Sequence, residues 1–256
     1  MNRIPQDDAT YEFDNFTLNV AELRADTNAT TNLGTHSPSN IEKVLKLLRR
    51  AEALDRQYLK WYKSLPDSWE PRAVSWVDVP EVDIYGSTVF PGRVDTYEHL
   101  GIAYTHNFAR SCRLFVWNTI LRCVAWLCEP RDYRLSVEYT TASRISSDIV
   151  DDIVSSVPFF FSCNKDAYPA IIDTSQFVCG DKTSIKSLSG TTLMWPLFVA
   201  MCSDFATKPQ RSFLRRKLEY IATTMGINQA RELLSVGKPF FDSYTPQLFI
   251  SNASIG

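Results

Sequence analysis

Asn107, Arg110, Arg113, Asn118 and Arg122 stand three to five residues apart inside one apolar stretch, HLGIAYTHNFARSCRLFVWNTILRCVAWLC, among Phe108, Leu114, Phe115 and Trp117. A guanidinium or amide carried inward on such a stretch must be paired or must face a cavity, because burying it without a partner is costly. Two arrangements satisfy that demand. In one, Arg110 and Arg113 pair with carboxylates of the next helix, Asp148, Asp151 or Asp152. In the other, some of these groups line a pocket between helices, where a few polar groups converge among apolar walls. Arg110 and Asn107 are then the candidate catalytic donors that polarise a bound molecule, and Tyr104, Trp117, Phe160 and Trp195 the substrate-binding mould that holds it in a reactive shape.

That chemistry would have to run without the usual apparatus. The chain has no Gly-x-Ser-x-Gly elbow, no phosphate loop, no dinucleotide glycine fingerprint and no His-Glu-x-x-His. Of the three histidines, His99 and His106 lie seven residues apart, too far for the close pairing of helical metal sites, and His36 falls in an expected loop. Neither a metal nor a cofactor is expected. The six cysteines, Cys112, Cys123, Cys128, Cys163, Cys179 and Cys202, are unevenly spaced in mostly apolar surroundings, which reads as reduced, buried thiols.

The elements that must position these residues are helical. Apolar residues make up 45 % of the 256 positions, charged residues 22 %, and the formal net charge is -2. The composition is that of a globular protein with no overall basic field to draw nucleic acid or lipid. Residues 1–38 are polar and rich in Asn, Asp and Thr, and read as a loose arm or lid. They carry neither an apolar leader nor a presequence, so an intracellular, cytoplasmic location is expected, with no membrane span. Residues 39–256 read as one all-α, multi-helix domain. Its first helix is capped near Ser39 or Asn40 and closes before Pro66, with Lys43, Lys46, Arg49 and Arg50 on a charged face interleaved with Glu42, Glu52 and Asp55. The interleaving makes that face a solvated surface rather than a nucleic-acid patch.

A proline-rich connector with short extended pieces follows. Then come the central apolar helix from Asp95 to Cys128, a helix with Ile145, Ile149 and Ile153 on one face that stops at Pro158, and an irregular aromatic connection. The run TTLMWPLFVAMC, at about a dozen apolar residues, is too short to cross a bilayer and reads as a core helix that Pro196 kinks or breaks. Phe213, Leu214, Leu218, Ile221 and Met225 mark one face of the next helix, with Gly226 at its C-terminus, and a short helix ends the series.

The segments LDRQYLKWYKSLPDSWEP, YTHNFARSCRLFVW, ISSDIVDDIVSSVPFF, GTTLMWPLFVAMC and LRRKLEYIATTMGINQARELL, taken in this order, resemble the C-terminal regulatory domain of fungal transcription factors of the zinc binuclear cluster class. The similarity covers roughly residues 40–237. Its most specific pieces are Leu193 to Leu197, Met225 to Ala230 and Ser156 to Pro158. It implies an all-helical domain engaged in regulation and dimer contacts, downstream of a DNA-binding module in full-length relatives. Such a module needs six cysteines in two tight clusters, and the wide cysteine spacing of these 256 residues cannot supply it. Direct nucleic-acid binding is therefore not expected. Two readings follow: a free-standing domain that binds a hydrophobic small molecule, as a cofactor-free cyclase or isomerase of fungal secondary metabolism, or a nuclear regulator that works through protein partners, a second copy among them.

Overall fold

The computed structural model describes residues 6–30, 33–78, 87, 89–161 and 185–236. The expected all-α class holds: seven α-helices, two short 3-10 helices and one two-stranded sheet make up the regular structure of these residues. The Cys163 and Cys179 expectations, and most of the aromatic connection, lie outside them. The chain divides into two compact units. The first holds helix α1 (Gln6–Thr30), helix α2 (Pro38–Ser64) and the stretch from Cys112 to Ser146; the second holds Ser68 to Ser111 and the chain from Ser147 onward through the last described helix.

In the first unit, α1 occupies the segment whose composition reads as a loose arm. Its inward residues are Ala9, Phe13, Phe16, Val20, Leu23 and Thr27, all buried, at alternating steps of four and three. Helix α2 answers with Val44, Leu47, Ala51, Leu54, Tyr58 and Trp61 at the same period. Two seams of that spacing pack as antiparallel helices pack in a coiled coil. Phe13 and Phe16 lie 5.7 and 5.8 Å, ring to ring, from Trp61 and Tyr58, and the Trp61 indole donates to the Ala9 carbonyl at 3.0 Å. On the rim, Arg50 reaches both Glu22 and Asp26 of α1. Helix α2 starts at Ser37, whose hydroxyl accepts from the Asn40 amide, with Pro38 in the first turn, and it ends at Leu65 before Pro66.

In the second unit the connector supplies strands β1 (Arg72–Val77) and β2 (Gly92–Thr96), paired antiparallel with a bulge between Ala73 and Ser75. Val77, Val89 and Val94 form a small core there, with Phe90 packed on it and 5.4 Å from Phe213. Asp95 belongs to β2, so the central helix α3 starts later than its sequence suggests, at Leu100, and runs to Cys128. His99 caps it by accepting from the Ile102 amide. Helix α4 (Val137–Phe161) passes through Pro158 instead of stopping there. The disturbance is local: the proline removes one donor and crowds the carbonyl four residues before it, and the helix goes on past it. Pro196 likewise sits inside α5 (Ile185–Cys202), a helix of one piece.

Helix α6 (Lys208–Thr223) opens with a reciprocal capping box between Thr207 and Gln210. Past its end Gly226, at φ +72°, turns the chain so that the Ile227 amide reaches the Ile221 carbonyl at 3.2 Å, and α7 (Asn228–Val236) begins. That left-handed turn brings Met225 and Ile227 against Gly190 of α5. A Cβ on Gly190 would stand 2.6 Å from the Met225 sulfur and 3.0 Å from the Ile227 Cδ1. Both are ends of flexible side chains, so Gly190→Ala should change stability little, its crowding set against about 1 kcal/mol of helix propensity. Gly190→Leu should cost about 1–3 kcal/mol through overpacking. Urea unfolding of the two variants checks the contrast; equal midpoints would show that the approach is not close.

Candidate functional site

The polar groups predicted on the central helix do lead to a cluster, built within the second unit from β2, the segment after it, α3 and α4. The Arg93 guanidinium donates to both carboxylate oxygens of Asp95, at 2.8 and 2.9 Å, and to Asp152 at 2.5 Å. Asp152 faces a second guanidinium, that of Arg110, at 3.5 Å. Arg110 also donates to the Tyr97 hydroxyl at 2.8 Å and to the Asn107 side-chain oxygen at 2.9 Å. The Asn107 amide in turn donates to Ser156 at 2.7 Å, and Ser156 to the Ile153 carbonyl at 2.6 Å. Two cations thus alternate with two carboxylates. The i, i+2 spacing of Arg93 and Asp95 puts them on one face of β2. The i, i+3 and i, i+4 spacings of Asn107 with Arg110 and of Asp152 with Ser156 put each pair on one face of its helix.

Electrostatics follow from burial. Arg110 is 3 % exposed and Asn107 fully buried, so their partners replace water. Burial holds the Tyr97 phenol above its ordinary pKa, although the Arg110 charge pulls the other way. His106, one helical position before Asn107, has its imidazole pushed down to about 3, first by burial and then by Arg110, against the pull of the Trp69 carbonyl. A carbonyl can only accept, so the 2.8 Å bond to Trp69 places the proton on His106 Nε2. Burial raises Asp151, which accepts from Gln210 of α6.

The sequence-predicted residues divide between the two units. Tyr104, Asn107, Arg110, Phe160 and Trp195 belong to the second and Trp117 to the first. Asn107 and Arg110 are directly bonded. Phe160 is buried and stands edge-on to Phe159, which meets Tyr97 at 5.3 Å. Tyr104 packs on Phe108 of its own helix, and Trp195 on Phe198 of its own. Trp117 donates instead to Asp55 of α2 at 2.9 Å, beside Arg113, which donates to the same oxygen at 2.7 Å. The pairing expected for Arg110 with α4 is therefore present, through Asp152. That expected for Arg113 is not, since its carboxylate comes from α2. Arg113 also lies 4.7 Å from the Tyr58 ring centre, a favourable cation–π placement. Tyr97, Arg93 and Asp95 were missed by sequence reasoning. Only the strand alternation of Arg93 and Asp95 could have flagged them.

Among the described residues no group of three His, Cys, Asp or Glu side chains could hold a metal ion. The thiols of Cys112 and Cys123 are pushed up to about 12, by burial above all, which makes them packing groups rather than nucleophiles.

The geometry is that of a saturated ion network, whose donors point at protein acceptors. The sequence of the chain is similar to that of a transcription factor. Over 194 residues it is 27 % identical to the transcription factor dbaG of Emericella nidulans, an alignment that takes in 75 % of this chain. The chain spans 44 % of that relative's length. No known family profile matches the chain, and no solved structure does. None of the described helices is long and apolar enough to cross a membrane.

Proposed function

We propose that this chain is the helical regulatory portion of a fungal transcription regulator, acting in the nucleus through contacts with other proteins. The observation that carries the reading is the similarity to dbaG, which runs through three quarters of the chain. The site's chemistry supports it. A catalytic reading needs Arg110 or Asn107 to turn a donor toward a substrate, whereas Arg110 donates to Tyr97 and Asn107, and Asn107 to Ser156. Each of these bonds is buried, and giving one up for a substrate would cost about 1–3 kcal/mol. The network's role in this reading is to fix β2, α3 and α4 of the second unit in one arrangement.

The test is a tethering assay. The full chain, fused to an unrelated DNA-binding domain in a fungal host, should change the output of a reporter carrying the cognate site several-fold. Native mass spectrometry of the same fusion should show a stoichiometric partner chain. An abundant fusion that leaves the reporter unchanged and carries a small molecule instead of a partner would overturn the proposal.

A further inference from the structure

The outward face of α2 is a straight row of five cations with one alanine among them. Lys46, Arg49, Ala53, Arg56, Lys60 and Lys63 follow one another at steps of three and four, all exposed. Each stands two positions after a member of the buried seam, from Val44 to Trp61, and two positions is 200° of helix rotation. The row therefore lies opposite the core, and the 17 steps from Lys46 to Lys63 make about 26 Å of helix at 1.5 Å per residue.

In the sequence this charge looks neutralised by interleaved acids, but the structure removes one of the three and leaves the C-terminal half of the row without an ion pair among the described residues. Asp55 points inward, where Arg113 and Trp117 hold it. Glu42 answers Arg49 at 3.7 Å, at the N-terminal end of the row. Glu52 remains at the margin. Among the described residues no carboxylate forms an ion pair with Lys46, Arg56, Lys60 or Lys63. Like charges three and four apart repel by about 0.2–0.5 kcal/mol a pair, so the C-terminal half of the row is destabilising in the free chain. An anionic partner would relieve that repulsion.

We infer that this face docks an acidic amphipathic helix of a partner protein. The period favours a helix, because a second helix laid alongside meets a seam of three-and-four steps at every turn. Apolar flanks favour a protein over a nucleic acid: Leu59 and Tyr62, 36 and 38 % exposed, sit beside Lys60 and Lys63, offering contact area that a phosphate backbone does not use. The overall charge of -2 makes this row a local contrast rather than part of a general basic field. The inference rests on the reading of the chain as one that works through protein partners, and it names the chemistry of one of them.

The experiment uses the full chain and a fluorescein-labelled peptide of three heptads (~21 residues), with Glu at the seam-facing positions and Leu along one flank. Binding is followed by anisotropy at low and moderate salt. The variant Arg56→Glu/Lys60→Glu/Lys63→Glu alters exposed positions only, and circular dichroism verifies that it folds. It should bind the peptide at least about tenfold more weakly. The α6 variant Lys208→Glu/Arg216→Glu, also at exposed positions, should bind as the unaltered chain does, and an unstructured oligoglutamate of equal charge should bind the unaltered chain more weakly than the peptide. The inference is overturned if the triple variant keeps its affinity within twofold, if oligoglutamate binds as well as the helix, or if a mixed-sequence DNA duplex binds more tightly than either. Because the binding needs no reporter, failure here leaves the tethering result standing, and a silent reporter beside tight peptide binding would count against the regulatory reading alone.

Discussion

Replacing Asp152 by alanine should destabilise the protein by about 3 kcal/mol, more than replacing its partner Arg110. The reason is an asymmetry of exposure. Arg110 is 3 % exposed and pairs with Asp152; without that carboxylate a buried guanidinium loses this ion pair and keeps its bonds to the neutral Tyr97 hydroxyl, the Asn107 oxygen and the backbone carbonyl of residue 152. Breaking the pair from the carboxylate side strands the more buried of its two charges, which is the costly direction. The converse change is milder. In Arg110→Met, Asp152 keeps the Arg93 guanidinium and is 36 % exposed, so water can reach it. What remains is the loss of a donor to Tyr97 and Asn107, on the order of 2 kcal/mol. Urea unfolding at neutral pH should therefore rank Asp152→Ala well below Arg110→Met, and the double variant should be more stable than the sum of the two by about 1 kcal/mol or more, as for any directly coupled pair. Equal costs for the two single variants would mean that the Arg110 charge is compensated from elsewhere.

The same network shows how much could be read from the sequence and where reading stops. That Arg110 and Asn107 need partners followed from their place in an apolar stretch, and Asp152 was among the carboxylates within reach. Tyr97 was not visible, because nothing in a one-dimensional pattern says which ring precedes a helix at the right angle to meet a guanidinium thirteen residues on. Arg113 shows the other limit: one turn of helix away, it pairs with Asp55 in the first unit, whereas Arg110 pairs in the second. Helix α1 was legible and still misread. Its Ala9-Phe13-Phe16-Val20-Leu23-Thr27 seam is regular, but the Asn, Asp and Thr residues between seam positions dominate its average composition. Periodicity, not mean polarity, decides whether a helix can pack. Pro158 was misread because a proline costs a helix one backbone donor and local crowding, which a packed helix can absorb, as α5 does at Pro196.

The second large effect is one of pH, and it belongs to His106. Its imidazole is neutral in the folded protein down to about pH 3, through burial first and the Arg110 charge second, whereas an unfolded histidine titrates near 6.5. Below 6.5 the unfolded chain therefore binds a proton that the folded chain refuses. Stability rises with pH wherever the unfolded state holds more protons, so it falls as the pH drops through this window, by about 1.4 kcal/mol per unit. Above about pH 7 the group contributes no slope. Between pH 7.5 and pH 5 the expected loss is about 2 kcal/mol. The variant His106→Gln keeps a side-chain donor for the Trp69 carbonyl and has nothing to titrate, so its stability profile should be flatter than that of the unaltered protein by that amount. Asp151, whose pKa burial raises above 3.8, acts with the opposite sign: the folded form holds its proton to higher pH, and stability from this group declines as pH rises through its range. Subtracting the His106→Gln profile from the parent's cancels that contribution, because Asp151 is present in both. Parallel profiles across pH 5–7.5 would show that His106 is solvated, and with it the end of α3 that carries Asn107 and Arg110.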